Sequence, residues 1–133
     1  MADLLFIYGT LLPGHAPPAM ASVCRRLRPD GAATLAGRIY DLGHYPGVTL
    51  STDAIVFGEL VEVPDEQTLA ALDDYEGCPR EGEGDGLFRR VRAIATRRED
   101  GRSVDCWVYV YERDLDHARV ISSGCWRTHV DRA

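Results

Sequence analysis

The sequence contains no lysine and no asparagine, and all 15 of its basic residues are arginine. Without lysine there is no Schiff-base nucleophile, no P-loop lysine and no Ser–Lys dyad. Cys24, Cys78, Cys106 and Cys125 form no C-x-x-C pair. His15, His44, His117 and His129 never pair at i,i+4, and no H-E-x-x-H occurs, so no metal site is expected. A G-x-S-x-G elbow is missing, as is a G-x-G-x-x-G after the first apolar run, which removes support for a serine hydrolase or a dinucleotide fold. No stretch approaches the ~18 apolar residues of a membrane span. The opening MADLLFIYGT has neither a basic n-region nor an apolar core long enough for a secretory signal. The expectation is a cytoplasmic protein with free thiols, no cofactor and no membrane contact.

What is present fits one folded domain over residues 1–133, with 45% hydrophobic residues. The net charge of −6 weighs against a nucleic-acid partner. Arg25-Arg26 and Arg89-Arg90 accordingly read as solvated faces or ion pairs.

Leu4 to Tyr8 is a short apolar run ending at Gly9, the pattern of a buried strand followed by a turn-rich loop to Gly14. Ala19 to Leu27 reads as a short helix stopped by Pro29-Asp30-Gly31. Strands are expected at Ala33–Leu42, Val48–Leu50 and Ile55–Val63, with a tight turn at Gly43-His44-Tyr45-Pro46-Gly47. Pro64 and Asp65 suit the start of a helix whose Leu69, Leu72 and Tyr75 fall on one stripe. Arg80 to Gly86 reads as a polar loop. Phe88–Thr96 alternates, and Asp100-Gly101 turns it into Val104–Tyr111. One further short element is expected between Ile121 and Trp126. The sum is an α+β chain: a small mixed, mostly antiparallel β-barrel with two or three short helices.

Two places could carry chemistry. At Tyr8-Gly9-Thr10-Leu11, successive N–H groups at a glycine turn can converge on an anion; the alternative is a plain strand-ending turn. At Leu72-Asp73-Asp74-Tyr75-Glu76-Gly77, three carboxylates crowd a helix C-terminus, where the helix dipole disfavours them. If Leu72 faces the core, Glu76 lies one turn further along the same stripe. A carboxyl aimed inward has its charged form disfavoured and becomes a candidate general acid/base. The alternative is a frayed helix end with Glu76 in solvent. Asp73 and Asp74 are expected to matter much less.

Phe6-Ile7-Tyr8-Gly9-Thr10-Leu11-Leu12-Pro13-Gly14 resembles the opening of the gamma-glutamylcyclotransferase-like (AIG2-like) family. Leu72-Asp73-Asp74-Tyr75-Glu76-Gly77 with Phe88-Arg89-Arg90 resembles its second signature. Cys106 to Val110 resembles the family's late strand, and Ser122 to Trp126 the C-terminal segment of its bacterial members. The pattern is nearest that of gamma-glutamylaminecyclotransferase-type members. The sequence departs from it at Leu12, at Phe88 where tyrosine is common, and in a longer 81–86 segment.

The resemblance implies a small mixed barrel with a cavity beside the first loop. It implies that Tyr8, Gly9, Thr10 and Leu11 hold a gamma-glutamyl head through backbone groups, with Glu76 as catalytic acid/base. The reaction it implies is cyclisation to 5-oxoproline with release of an amine or amino acid. Tyr109 either points into that cavity to orient the substrate or packs in the core. Three other readings stand beside this one: a non-catalytic small-ligand-binding module of the same fold, a thiol acyl transferase using Cys78, and an interaction protein. The barrel edge is also a candidate homodimer contact, which is compatible with the enzyme reading.

Overall fold

The computed structural model describes residues 3–9, 18–43, 45–77, 87–116 and 118–131. Its first strand explains the layering of the rest. In β1 (Asp3–Ile7) neighbouring side chains point to opposite faces, yet both faces are apolar. Phe6, and Tyr8 just beyond the strand, enter one buried cluster; Leu5 and Ile7 enter another. Beyond Asp3 the strand is apolar on both faces, and such a strand must be covered on both sides.

The covering comes from a barrel on one side and helices on the other. The remaining strands are β2 (Arg28–Asp41), β3 (Pro46–Val63), β4 (Phe88–Arg97), β5 (Ser103–Tyr111) and the short β6 (Arg119–Val120). The sheet order is β3-β1-β5-β4-β2-β6, and a further β2–β3 pairing closes the first five strands into a barrel. β1 runs parallel to β5, and every other pairing is antiparallel. Among the described residues, closure leaves β6 as an added edge. Leu35, Ile39, Val48, Val56, Leu60, Val108 and Val110 fill the interior with Phe6 and Tyr8.

Among the described residues the α-helices are α1 (Ala21–Cys24), α2 (Glu66–Glu76) and α3 (Trp126–Asp131). Asp65 caps α2, accepting from the Thr68 backbone N–H at 2.8 Å and the Thr68 hydroxyl at 2.7 Å. This satisfies the one fully buried polar side chain recorded among the described residues. Gly77 ends the helix at φ 73°, a left-handed geometry that suits glycine. Leu69 and Leu72 of α2 then pack on Leu5, Ile7, Val61, Val63 and Tyr109, the outer face of the barrel.

Three local expectations are corrected by tertiary pairing. Pro29-Asp30-Gly31 does not stop a helix; β2 runs through it with a bulge opposite β3, using Gly31 at φ 106°. The two strands expected at 48–50 and 55–63 are one strand. Ala36 pairs with Ile55 and Gly37 with Leu50, so residues 51–54 flare out of a continuous ladder. The single tail element is two, β6 and α3, with Ile121 and Trp126 buried against the barrel core.

The Asp100-Gly101 turn joins β4 to β5 as expected, with Gly101 N–H donating to Arg97 O at 2.8 Å. Cys24, Cys106 and Cys125 are free thiols, while Cys78 lies outside the described residues. No helix among the described residues is long and apolar enough to cross a membrane.

Candidate active site

Burial of Leu72 fixes the rotation of α2, and that rotation carries Glu76 toward the barrel. Glu76 is half-buried. Burial pushes its carboxyl up from 4.5 to about 7, and the nearby charge of Asp73 pushes the same way. Such a group holds a proton about as readily as it gives one up near neutral pH, which is what general acid–base chemistry requires.

Asp73 sits one turn before Glu76 at the centre of a polar cluster. Arg90 Nε donates to Asp73 Oδ1 at 2.8 Å and Arg90 Nη2 to Oδ2 at 3.2 Å, a forked arrangement. Tyr109 Oη donates to Asp73 Oδ1 at 2.7 Å. Arg90 and Tyr109 meet because β4 and β5 place them in register. Asp73 and Arg90 are each about a quarter exposed, at 24% and 23%. The pair is therefore shielded enough to hold its geometry, yet not sealed from water. The Arg90 guanidinium also lies 4.1 Å from the centre of the Trp107 ring, which restrains it further.

The first loop joins this cluster through tyrosine. Tyr8 Oη donates to the Tyr109 carbonyl at 2.5 Å, tying the end of β1 to the strand that contacts Asp73. Tyr109 itself is buried in the outer cluster, and its hydroxyl is directed to Asp73. Gly9 is buried as well. A Cβ there would stand 2.5 Å from Pro46 Cγ, so the β2–β3 turn closes directly on this glycine. Gly9→Ala is expected to force the Pro46 ring aside and lower stability by about 1–3 kcal/mol, measured by denaturant unfolding. Thr10 and Leu11, the other half of the expected head-binding loop, lie outside the described residues.

The structure thus links Tyr8 and Tyr109 to Asp73 on α2, one helical turn from Glu76. It also places Asp73, expected to matter little, at the heart of the cluster. Two signals mark it: its spacing of three residues from Glu76 on a helix, and an arginine and a tyrosine on adjoining strands. Asp74 is exposed. Phe88, lacking a hydroxyl, packs against Tyr111 and Tyr45 at ring distances of 5.4 and 6.1 Å. Beyond these rings lies a depression of about 430 Å³ lined by Asp41, Tyr45, Tyr111, Asp114 and Arg119, among others.

A family model described as gamma-glutamyl cyclotransferase, AIG2-like, matches residues 5–128. The chain is 36% identical over 114 residues to the gamma-L-glutamyl-butirosin B gamma-glutamyl cyclotransferase of Niallia circulans, covering 83% of this chain and 67% of that protein. It is 34% identical over 117 residues to the gamma-glutamylaminecyclotransferase of Rattus norvegicus, covering 79% and 75% respectively. The crystal structure of an AIG2-like protein from Mus musculus superposes with a TM-score of 0.67 at 28% identity, covering 82% of this chain and 76% of that one. Sequence and fold agree: this chain belongs to the gamma-glutamyl cyclotransferase, AIG2-like family and is an enzyme of that type.

Proposed function

We propose that the protein converts a gamma-glutamyl amine into 5-oxoproline and the free amine. Attacker and target are already in one molecule. The substrate's neutral α-amine adds to its own γ-carbonyl carbon, so holding the chain in a near-attack shape supplies much of the rate gain. No protein nucleophile is required, which suits a chain without lysine.

Glu76 is the proton carrier in this reading. Its carboxylate takes the proton shed by the attacking nitrogen as the new C–N bond forms. It then gives that proton to the departing nitrogen as the old C–N bond breaks. One group can do both because its proton affinity is matched to neutral pH. Backbone N–H groups of the Tyr8–Leu11 loop hold the α-carboxylate or the developing oxyanion. The observation that carries the proposal is the half-buried Glu76 carboxyl, raised to about 7 beside Asp73.

The leaving group is an amine in preference to an α-amino acid. Support comes from the similarity to the gamma-glutamylaminecyclotransferase of Rattus norvegicus, 34% identical to this chain. The proposed chemistry calls for no cofactor.

The test is incubation with a panel of gamma-glutamyl amines and gamma-glutamyl dipeptides, monitored for 5-oxoproline. Turnover is expected, faster with the amines. Saturable binding of the whole panel with no product would support the non-catalytic binding module instead.

A further inference from the structure

We propose that Asp73, clamped by Arg90 and Tyr109, is a positioning residue that governs when Glu76 carries its proton. This rests on the reading of Glu76 as the acid/base, and adds a second layer to it. The geometry sets Asp73 apart from an ordinary surface carboxylate. It has three donors from two strands: two from Arg90 at 2.8 and 3.2 Å and one from Tyr109 at 2.7 Å. Arg90 is in turn held over Trp107. Tyr109 is held by burial and by the Tyr8 hydroxyl on its carbonyl. Asp73 therefore presents a fixed charge, one helical turn from Glu76.

Other ionisable groups lie on α2 and the elements around it: Asp74 and Tyr75 on α2, Asp3 on β1, Cys24 on α1, Glu59 and Glu62 on β3, and Arg90 and Tyr109 on β4 and β5. Besides burial, the charge of Asp73 raises the Glu76 carboxyl. Arg90 and Tyr109 work through Asp73, the first by offsetting its charge and the second by fixing its direction. The clamp therefore makes a prediction of opposite signs. Removing Asp73's charge leaves Arg90 as an uncompensated cation, so Glu76 ionises more easily. Removing Arg90 leaves Asp73 uncompensated, so Glu76 holds its proton to higher pH.

The experiment compares Asp73→Asn and Arg90→Met with the wild-type chain by the pH profile of kcat/KM for 5-oxoproline release. The same three proteins are titrated by carboxyl ¹³C NMR, with Glu76→Gln used to assign the Glu76 signal. The acid limb and the NMR midpoint are expected to fall by about one pH unit in Asp73→Asn and to rise in Arg90→Met. Arg90→Gln replaces Arg90→Met if the latter does not fold. Midpoints that stay in place, or that move the same way in both variants, would overturn the proposal. If no substrate is turned over, the cyclotransferase reading of this chain fails, while the NMR titration still decides whether the clamp tunes Glu76.

Discussion

Glu76→Gln is expected to fold and to lose at least ~10²-fold in turnover, the low end of what general acid–base catalysis contributes. Glutamine keeps the size of the side chain and removes its ability to take and return a proton. Substrate binding through the first loop is expected to survive, so the loss falls mainly on kcat.

The same substitution has an opposite effect on stability, and the sign follows from proton binding. Glu76 titrates near 4.5 when exposed and at about 7 in the folded chain. The folded state therefore binds its proton more tightly. The stability this contributes is complete below pH 4.5 and is lost as pH rises through 7. At about 1.4 kcal/mol per pH unit the wild type gives up about 2–3 kcal/mol across this range, allowing for solvent screening of a half-buried group. Glu76→Gln escapes that cost. It is expected to melt above the wild type at pH 8 and to match it near pH 4. A chain that loses activity and gains alkaline stability through one atom's replacement shows a site built against the ease of folding. Equal melting temperatures at both pH values would contradict this.

Leu72→Ala is expected to be the most damaging of the substitutions for stability, at about 2–5 kcal/mol by denaturant unfolding. Leu72 is fully buried between α2 and the outer face of the barrel, with Leu5, Ile7, Leu69, Phe88 and Tyr109 in the same cluster. Truncation removes apolar contact and leaves a cavity that a closed barrel cannot collapse to fill. It also frees the rotation of α2, which is what turns Glu76 inward. The acid limb of the Leu72→Ala profile is therefore expected to drift toward the pH of an ordinary glutamate, as water reaches the carboxyl. A variant destabilised by less than about 1 kcal/mol would mean that α2 is held elsewhere.

What the sequence made legible were features with a local cause. The run Leu4 to Tyr8 has no polar residue, and only a strand covered on both faces explains that. The stripe of Leu69 and Leu72 after Pro64-Asp65 marked the start of α2 and its inward face, and left Glu76 open between that face and solvent. Asp100-Gly101 announced its hairpin.

Features that depend on which strands meet were not legible. Residues 51–54 look like a break between strands, because their polarity reflects a flare in a ladder whose flanking pairs, Gly37 with Leu50 and Ala36 with Ile55, lie far apart in sequence. Pro29-Asp30-Gly31 looks like a stop, because a bulge and a turn call for the same residues. Asp73 was undervalued for the same reason. Its importance comes from Arg90 and Tyr109, which only the pairing of β4 with β5 brings to it. Tyr109 could be read as core or as site. The structure gives it a buried ring and a hydroxyl that ends on a site carboxylate.

The most direct measurement is a carboxyl ¹³C NMR titration of the unliganded wild-type protein, with the Glu76 resonance identified by its loss in Glu76→Gln. A midpoint near pH 7, well apart from the exposed glutamates, is the predicted result. A midpoint near 4.5 would mean that Glu76 stands in water, and the acid/base role assigned to it would fall.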